Sequence, residues 1–244
     1  MDRLKFTIEY EGTQYCGWQR QNNVLTIQQV IEEAIETITQ EKINLVASGR
    51  TDRGVHAKAQ IAHCKINTSI PLEHLQRGLN SILPKDIVIQ KIEPVDHTFH
   101  AQLSAISKIY HYQIFNHKVP SALHRNVSWW IPHPLDVSKM NEAATLIVGK
   151  HDFKAFQNQG TPVPTTVKTI FQSQFKKKSP FLIYQVEGNG FLRQMVRNLV
   201  GAFVEIGRGR LTLPQFEIIL ASKDRKLAPK SAPPQGLLLT KVFH

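Results

Sequence analysis

Cysteine is scarce: the 244 residues hold two, Cys16 and Cys64. Neither sits in a CxxC, so a disulfide scaffold and a thiolate zinc site are both excluded as expectations. No uninterrupted apolar run approaches the roughly 18 residues that a membrane-spanning helix needs. The opening Met1-Asp2-Arg3-Leu4-Lys5 lacks the apolar core of a secretory signal and passes straight into an alternating pattern. A soluble, cytoplasmic protein with no membrane partner is expected. No GxxxxGK[ST] phosphate loop occurs, and Gly188-x-Gly190 is too short for a dinucleotide fingerprint. His97 and His100 are the close pair among the histidines, with no carboxylate or cysteine at ligand spacing, so no metal site is expected. Apolar residues at 41% and charged residues at 20% exclude a disordered or collagen-like chain.

Acidic residues are also few. Lys and Arg number 30 against 19 Asp and Glu, a net charge of +11. Such a balance favours a polyanionic partner, nucleic acid being the commonest, although the same charge also serves solubility alone.

Hydrophobic periodicity organises the chain. Leu4, Phe6, Ile8 and Tyr10 alternate with Lys5, Thr7 and Glu9, the pattern of a half-buried strand. A polar, glycine-containing loop follows. Thr26-x-x-Gln29 then reads as a capping box. It opens a helix with Ile27, Val30, Ile31, Ala34, Ile35 and Ile38 on one side and Glu32, Glu33 and Glu36 on the other. Strands are expected over 43–48, 59–66 and 87–95, with a helix after Pro71 carrying Leu72, Leu75, Leu79 and Ile82. Beyond a join near Leu103–Ser107 the grammar recurs. A strand covers 109–115, and a helix over 136–148 ends at Gly149. A hairpin turns around Lys176–Pro180, a strong helix spans 191–206, a short one starts at Pro214, and a last strand covers 237–243. Leu227–Pro234 reads as an irregular arm. The expected fold is therefore α+β in two halves, 1–104 and 105–244, with no residue-level repeat between them.

Three stretches can carry chemistry. In Gly49-Arg50-Thr51-Asp52-Arg53-Gly54-Val55-His56-Ala57 a carboxylate sits in a tight turn between two arginines. Nearby positive charge favours its ionised form, which suits a nucleophile or a base. The same pattern also describes a surface turn whose Asp52 caps local N–H groups. In Leu192-Arg193-Gln194-Met195-Val196-Arg197-Asn198 the arginines are four apart, flanking a stripe of Leu192, Met195, Val196, Leu199, Val200 and Phe203. They can hold a carboxylate or phosphate bidentately, or snorkel on a solvated face. In Lys108-Ile109-Tyr110-His111-Tyr112 the tyrosines share a strand face. They can stack on unpaired bases or pack in the core, and core packing is the better reading for at least one of them. Lys176–Lys178 reads as a solvated hairpin tip, and Trp129-Trp130 as a packed strand end.

Taken in order, these pieces resemble the tRNA pseudouridine synthase A family over nearly the whole chain. Tyr10-x-Gly12-Thr13-x-Tyr15-x-Gly17-Trp18-Gln19 resembles the family's opening motif. The Gly49–Ala57 block resembles the signature around its catalytic aspartate. Phe99-His100-Ala101 leads into Lys108-x-Tyr110-x-Tyr112, similar to the active-site tyrosine strand. His151-Asp152-Phe153, Phe191-Leu192-x-x-Met195-Val196-Arg197-Asn198 and Ala232-Pro233-x-x-Gly236-Leu237-x-Leu239 follow in the family's order. Arg193-Gln194 departs from the histidines often found before the Met-Val-Arg, and the Lys176 loop has no counterpart.

The resemblance implies two RRM-like, ferredoxin-like halves with joined antiparallel sheets and a basic cleft between them. It implies a homodimer that holds tRNA and isomerises uridine to pseudouridine at positions 38, 39 and 40 of the anticodon stem-loop, without metal or organic cofactor. It assigns Asp52 to the reaction at the ribose, Arg197 to pairing with Asp52, Tyr110 to stacking on the target base, and Arg50 to the RNA backbone. The competing class is a non-catalytic RNA-binding protein on the same folds. A glycosidic hydrolase would call for a second acidic group, and none stands out.

Overall fold

The computed structural model describes residues 2–160 and 163–244. Along the chain come β1 (Asp2–Tyr10), α1 (Ile27–Thr39), β2 (Val46–Ala47), β3 (His56–Ile66), α2 (Leu72–Ile82) and β4 (Ile87–Pro94). Then follow β5 (Ser107–Asn116), β6 (Trp129–Ile131), α3 (Val137–Thr145), β7 (Gly149–Asp152), β8 (Val167–Lys178), β9 (Phe181–Gly188), α4 (Met195–Gly207), α5 (Leu213–Ser222) and β10 (Leu237–Phe243). The chain divides into two compact units. The first runs to Ile106 and takes in Leu238–His244; the second is Ser107–Leu237. The expected division at 104/105 left the closing strand in the second half. It clusters with the first because β10 pairs in parallel with β3, Leu238 opposite His56 and Leu239 opposite Ala57. No helix among the described residues is long and apolar enough to cross a membrane.

The first unit has the order β-α-β-β-α-β. Strand β1 pairs antiparallel with β3 on one side and β4 on the other, and β2 adds antiparallel to β3 at Ala62–His63. This is the split-βαβ, ferredoxin-like arrangement. The alternation in β1 is realised: Leu4, Phe6, Ile8 and Tyr10 are buried and Glu9 is exposed. The core is completed by Ile27, Ile31 and Ile35 of α1 and by Leu75 and Leu79 of α2, all fully buried. Each such side chain contributes roughly 1.5–3 kcal/mol relative to exposure.

Local chemistry modifies two expectations in this unit. The Thr26 side chain accepts from the Gln29 N–H at 3.4 Å, so it caps α1; the Gln29 side chain turns to Glu33 instead of back to Thr26, leaving the capping box half formed. Glu32 does not lie on a solvated face. It is 4% exposed and accepts from the Leu45 N–H at 2.7 Å, from the Gln28 amide at 2.9 Å and from Arg20. This carboxylate takes the backbone donor that a strand ladder would have used. The expected strand over 43–48 is accordingly reduced to Val46–Ala47.

In the second unit β5, β9, β8 and β7 form an antiparallel series, with β6 parallel to β5. The run β5-α3-β8-β9-α4 repeats β1-α1-β2-β3-α2. The adjacency β5–β9–β8 matches β1–β3–β2, so the fold repeats although the residues do not. Phe175, Tyr184 and Phe203 form an aromatic cluster between β8, β9 and α4, with ring centroids 4.7–5.8 Å apart. Helix α3 is capped by Asp136 and stops at Thr145; Gly149, with φ +103°, opens β7 instead of capping the helix. Helix α4 starts at Met195, four residues later than expected, because Gln194 takes a left-handed conformation (φ +59°) that cannot continue a helix. Lys176–Lys178 belong to the β8 ladder and are exposed.

The buried Glu32 gives a stability test. Glu32→Ala leaves the Leu45 N–H without its acceptor and should cost roughly 2–3 kcal/mol in urea unfolding, while Glu32→Gln, which keeps one acceptor, should cost less than half of that. Equal, small costs for both would show that the carboxylate does not hold this junction.

Candidate active site

The Asp52 turn sits at the entrance to β3. The Val55 N–H donates to the Asp52 carbonyl at 3.1 Å, and Gly54 takes φ +75°, closing a tight bend just before His56. Asp52 is half-buried, Thr51 is buried, and Arg50 and Arg53 on either side are exposed.

The turn is held from outside by the segment after β1. At Gly12 the Val55 carbonyl oxygen lies well inside the contact distance of any Cβ, and at Gly17 the Thr51 carbonyl oxygen lies 2.6 Å from the Cβ position. Only glycine permits both approaches. Hydrogen bonds fasten the same surfaces. The Gly12 N–H donates to His56 Nδ1 at 2.9 Å, the Trp18 N–H donates to the Thr51 carbonyl at 3.1 Å, and the Tyr10 and Thr51 hydroxyls are bonded at 2.8 Å. Gln60 completes the frame, donating to the Gly49 carbonyl at 2.9 Å and accepting from Ser48 at 2.8 Å. Burial pushes the Tyr10 phenol far up, so it serves as a neutral hydrogen-bonding post. Tyr15 is tied by its hydroxyl to Asp86 at 2.6 Å.

Phe99-His100-Ala101 belongs to the same scaffold. The Ala101 N–H donates to His63 Nδ1 at 3.2 Å, and His244 Nε2 lies 3.0 Å from the Ala101 carbonyl. Burial, with the positive charges of His100 and Arg3, pulls His63 down to about 4, so the ring is neutral at ordinary pH.

In the second unit, β5 places Lys108, Tyr110 and Tyr112 on one face. Tyr112 is a core residue, fully buried with its hydroxyl on the Pro233 carbonyl at 2.7 Å. Tyr110 is 8% exposed and meets Phe191 edge to face, centroids 5.1 Å apart. The two expected arginines separate. Arg193 precedes α4, is exposed and donates to the Gln159 carbonyl at 2.9 Å, so the helical four-residue spacing does not apply to it. Arg197 lies in the first turn of α4, half-buried. Its Nε donates to the Ala232 carbonyl at 2.8 Å while the Ala232 N–H donates to the Arg197 carbonyl at 3.0 Å.

That reciprocal pair pins the 227–234 arm to α4. Asn198 strengthens it from a fully buried position. Its amide donates to the Phe156 carbonyl at 2.7 Å and to Asn158 at 2.9 Å, and its oxygen accepts from Arg225 at 3.0 Å and from Ser231. Sequence reasoning gave Asn198 and Arg225 no role; a polar residue inside an otherwise apolar helical stripe was the signal for the first, and Arg225 offered none. His151 and Asp152 close β7, opposite Lys168 and Val167 of β8, and Phe153 leads into a helical turn at Lys154–Phe156. Burial raises the Asp152 pKa, but hydrogen bonds from Thr166 at 2.6 Å, Lys223 at 3.0 Å and the Lys154 N–H outweigh it and hold the carboxyl below its usual range. Of the expected site residues, Arg50 and Asp52 share one loop of the first unit, and Tyr110 and Arg197 belong to the second.

A family model described as tRNA pseudouridine synthase matches residues 7–103 and 143–244. Among curated proteins, the chain is 45% identical over 244 residues to tRNA pseudouridine synthase A 2 of Clostridium perfringens, covering all of both chains. It is 42% identical, again over both full lengths, to tRNA pseudouridine synthase A of Thermoanaerobacter sp. (strain X514). It is 43% identical to tRNA pseudouridine synthase A 1 of Protochlamydia amoebophila, covering all of this chain and 97% of that one.

The close approach at Gly12 can be read by hydrogen exchange. Gly12→Ala must push the Val55 carbonyl away, so the Val55 and Trp18 amides should exchange at least about tenfold faster, roughly 1.4 kcal/mol of lost local stability, while β4 amides stay within a few fold. Unchanged exchange at Val55 and Trp18 would show that the turn does not depend on this contact.

Proposed function

The chain belongs to the tRNA pseudouridine synthase family, and from that premise we propose that Asp52 performs its chemistry at the ribose of a uridine turned out of the RNA stack. The protein is an enzyme that isomerises uridine to pseudouridine in tRNA. The observation that carries the residue assignment is the seat of Asp52: a turn fixed by two glycine approaches and three hydrogen bonds, with the aspartate half-buried at a strand entrance.

The reaction breaks the N1–C1′ bond, turns the base over and joins C5 to C1′. The C5 proton is lost and N1 gains one, so nothing is oxidised and no water is consumed. A carboxylate suits this balance in two ways. It can attack C1′ and be displaced by C5, as in retaining glycosidases; or it can remove the 2′ proton to give a glycal and return it. A stacked nucleotide hides C1′, so the base must be flipped at a cost of a few kcal/mol. Phosphate contacts from a chain of net charge +11 offset that cost.

The remaining residues take roles consistent with their chemistry. Arg197 serves as the counter-charge to Asp52, with its Nε anchored on the Ala232 carbonyl. Tyr110 stacks on the target base and assists the C5 proton. Arg50, exposed beside Asp52, lies along the RNA backbone and holds the nucleotide out. On the resemblance of its motifs to the synthase A family, the proposal extends to the anticodon stem-loop as substrate, with positions 38, 39 and 40 as targets, a homodimer as the working form and the cytoplasm as its place.

Asp52→Asn should lower pseudouridine formation at least about a thousandfold while changing tRNA affinity by no more than a few fold. Product at the wild-type rate would remove Asp52 from the chemistry. Tyr110→Phe keeps the ring and should retain turnover within about threefold; Tyr110→Ala should lose about 10–100-fold in kcat/KM, the range of one base–aromatic stack. Equal activity of the two variants would end the stacking role.

A further inference from the structure

Arg225 follows α5, and three separate segments of the second unit meet on its guanidinium. Nε donates to Asn158 Oδ1 at 2.9 Å, in the loop after β7. One Nη donates to the Ala228 carbonyl at 2.9 Å, in the 227–234 arm. The other donates to Asn198 Oδ1 at 3.0 Å, on α4, and to the Ser231 hydroxyl at 3.4 Å, back in the arm. Loop and helix are also joined directly. The Asn158 amide donates to the Gln194 side chain at 2.8 Å, and the Asn158 N–H donates to the Arg193 carbonyl at 3.1 Å.

These four acceptors of Arg225 are neutral oxygens. Burial draws its pKa below the ordinary arginine range, so the cation is held at some cost. What the guanidinium supplies here is shape: a rigid plane whose donors leave in fixed directions. A lysine ammonium on a flexible stem cannot reproduce that fork.

The arm gathered by Arg225 ends on Arg197. Arg197 and Gly201 are four residues apart, on one side of α4. The Lys230 carbonyl oxygen occupies the place where a Gly201 side chain would begin, and the Ala232 nitrogen stands 3.3 Å from that position. Ala232 then bonds Arg197 twice, its carbonyl taking the Nε–H at 2.8 Å. Any shift of 228–232 therefore moves an acceptor of the Arg197 guanidinium.

We propose that Arg225 is a positioning residue for turnover: it locks the 228–232 arm so that the Ala232 carbonyl holds the Arg197 guanidinium at a set angle. The inference rests on Arg197 as the counter-charge to Asp52. It adds a residue some thirty positions away in sequence that acts through the arm and not on the RNA.

The test is a double-mutant cycle on the full-length protein with unmodified tRNA, read as kcat and KM under single-turnover conditions. Arg197→Lys keeps the charge and deletes the Nε anchor; it should lower kcat at least about tenfold. Arg225→Lys should lower kcat about tenfold or more and leave KM within about threefold, since a small displacement of a charge near the reacting carbon is felt in the chemical step. Ser231→Ala, the milder variant, should lower kcat about threefold. In both variants the Ala232 amide should exchange faster with solvent. In the Arg197→Lys background, Arg225→Lys and Ser231→Ala should each cost less than about a further twofold in kcat. If Arg225→Lys does not fold, the Ser231→Ala cycle decides. The same fold-loss in both backgrounds would mean a merely structural role, because a poorly folded fraction lowers kcat whatever residue 197 is; that result overturns the proposal. Unchanged kcat in Arg225→Lys, or a raised KM at unchanged kcat, overturns it too. Wild-type kcat in Arg197→Lys would end the Arg197 reading and this inference together, whereas a deficient Arg197→Lys beside a fully active Arg225→Lys would end this inference alone.

Discussion

The carbonyl oxygens of Val55 and Thr51 occupy the places where side chains at Gly12 and Gly17 would begin. That double approach is the constraint on which the candidate site depends. A carboxylate that must meet one carbon of a flipped nucleotide needs its own backbone fixed to a fraction of an ångström, because a misplacement of 1 Å can cost about a hundredfold in rate. Within the turn bearing Asp52, the Val55 N–H donates to the Asp52 carbonyl. The turn's rigidity comes from the segment after β1, through backbone contact, the Gly12–His56 bond and the buried Tyr10 and Thr51 hydroxyls. The two stretches are about 40 residues apart in sequence, and the β1–β3 pairing brings them together.

The second unit solves a related problem by other means. Its candidate residues stand on regular elements, Tyr110 on β5 and Arg197 on α4, and the loose part is the arm that follows α5. Paired backbone and side-chain bonds between Arg197 and Ala232, together with the Asn198–Arg225–Ser231 network, fasten that arm. A buried amide of this kind costs stability if any partner is lost, since each donor and acceptor would then face apolar surroundings. Its return is a defined position for the guanidinium one residue earlier.

Periodicity made most elements legible. β1, α1, α2 and β10 follow their hydrophobic patterns closely, because in each the burial demand and the local propensity agree. What the pattern could not reveal was side-chain capture of backbone groups. Glu32 looks like an outward glutamate in a helical wheel, yet it takes the Leu45 N–H and so shortens β2. The left-handed Gln194 delays α4 by a turn, which removes Arg193 from the helix and breaks the expected pairing of arginines. The motif residues were legible as a set, but their division of labour was not. The sequence marks Gly12, Gly17 and Asp52 alike; the structure separates the two glycines as seat and the aspartate as the residue seated. For Tyr110 and Tyr112 the alternation placed both on one face, and burial made Tyr112 a core residue.

The chemistry follows from these supports with few further assumptions. An isomerisation without net oxidation or hydrolysis asks for one well-held carboxylate, a counter-charge, an aromatic face and enough positive charge to keep a base unstacked. The central claim is that the Asp52 carboxylate reaches the sugar of the everted uridine. It is tested most directly by a structure of the protein with its tRNA bound, read as the distance from the Asp52 carboxylate to the target ribose. The account predicts an oxygen within about 3.5 Å of C1′ or of the 2′ carbon. A uridine still stacked in the RNA, or a carboxylate turned away from the sugar, would contradict it.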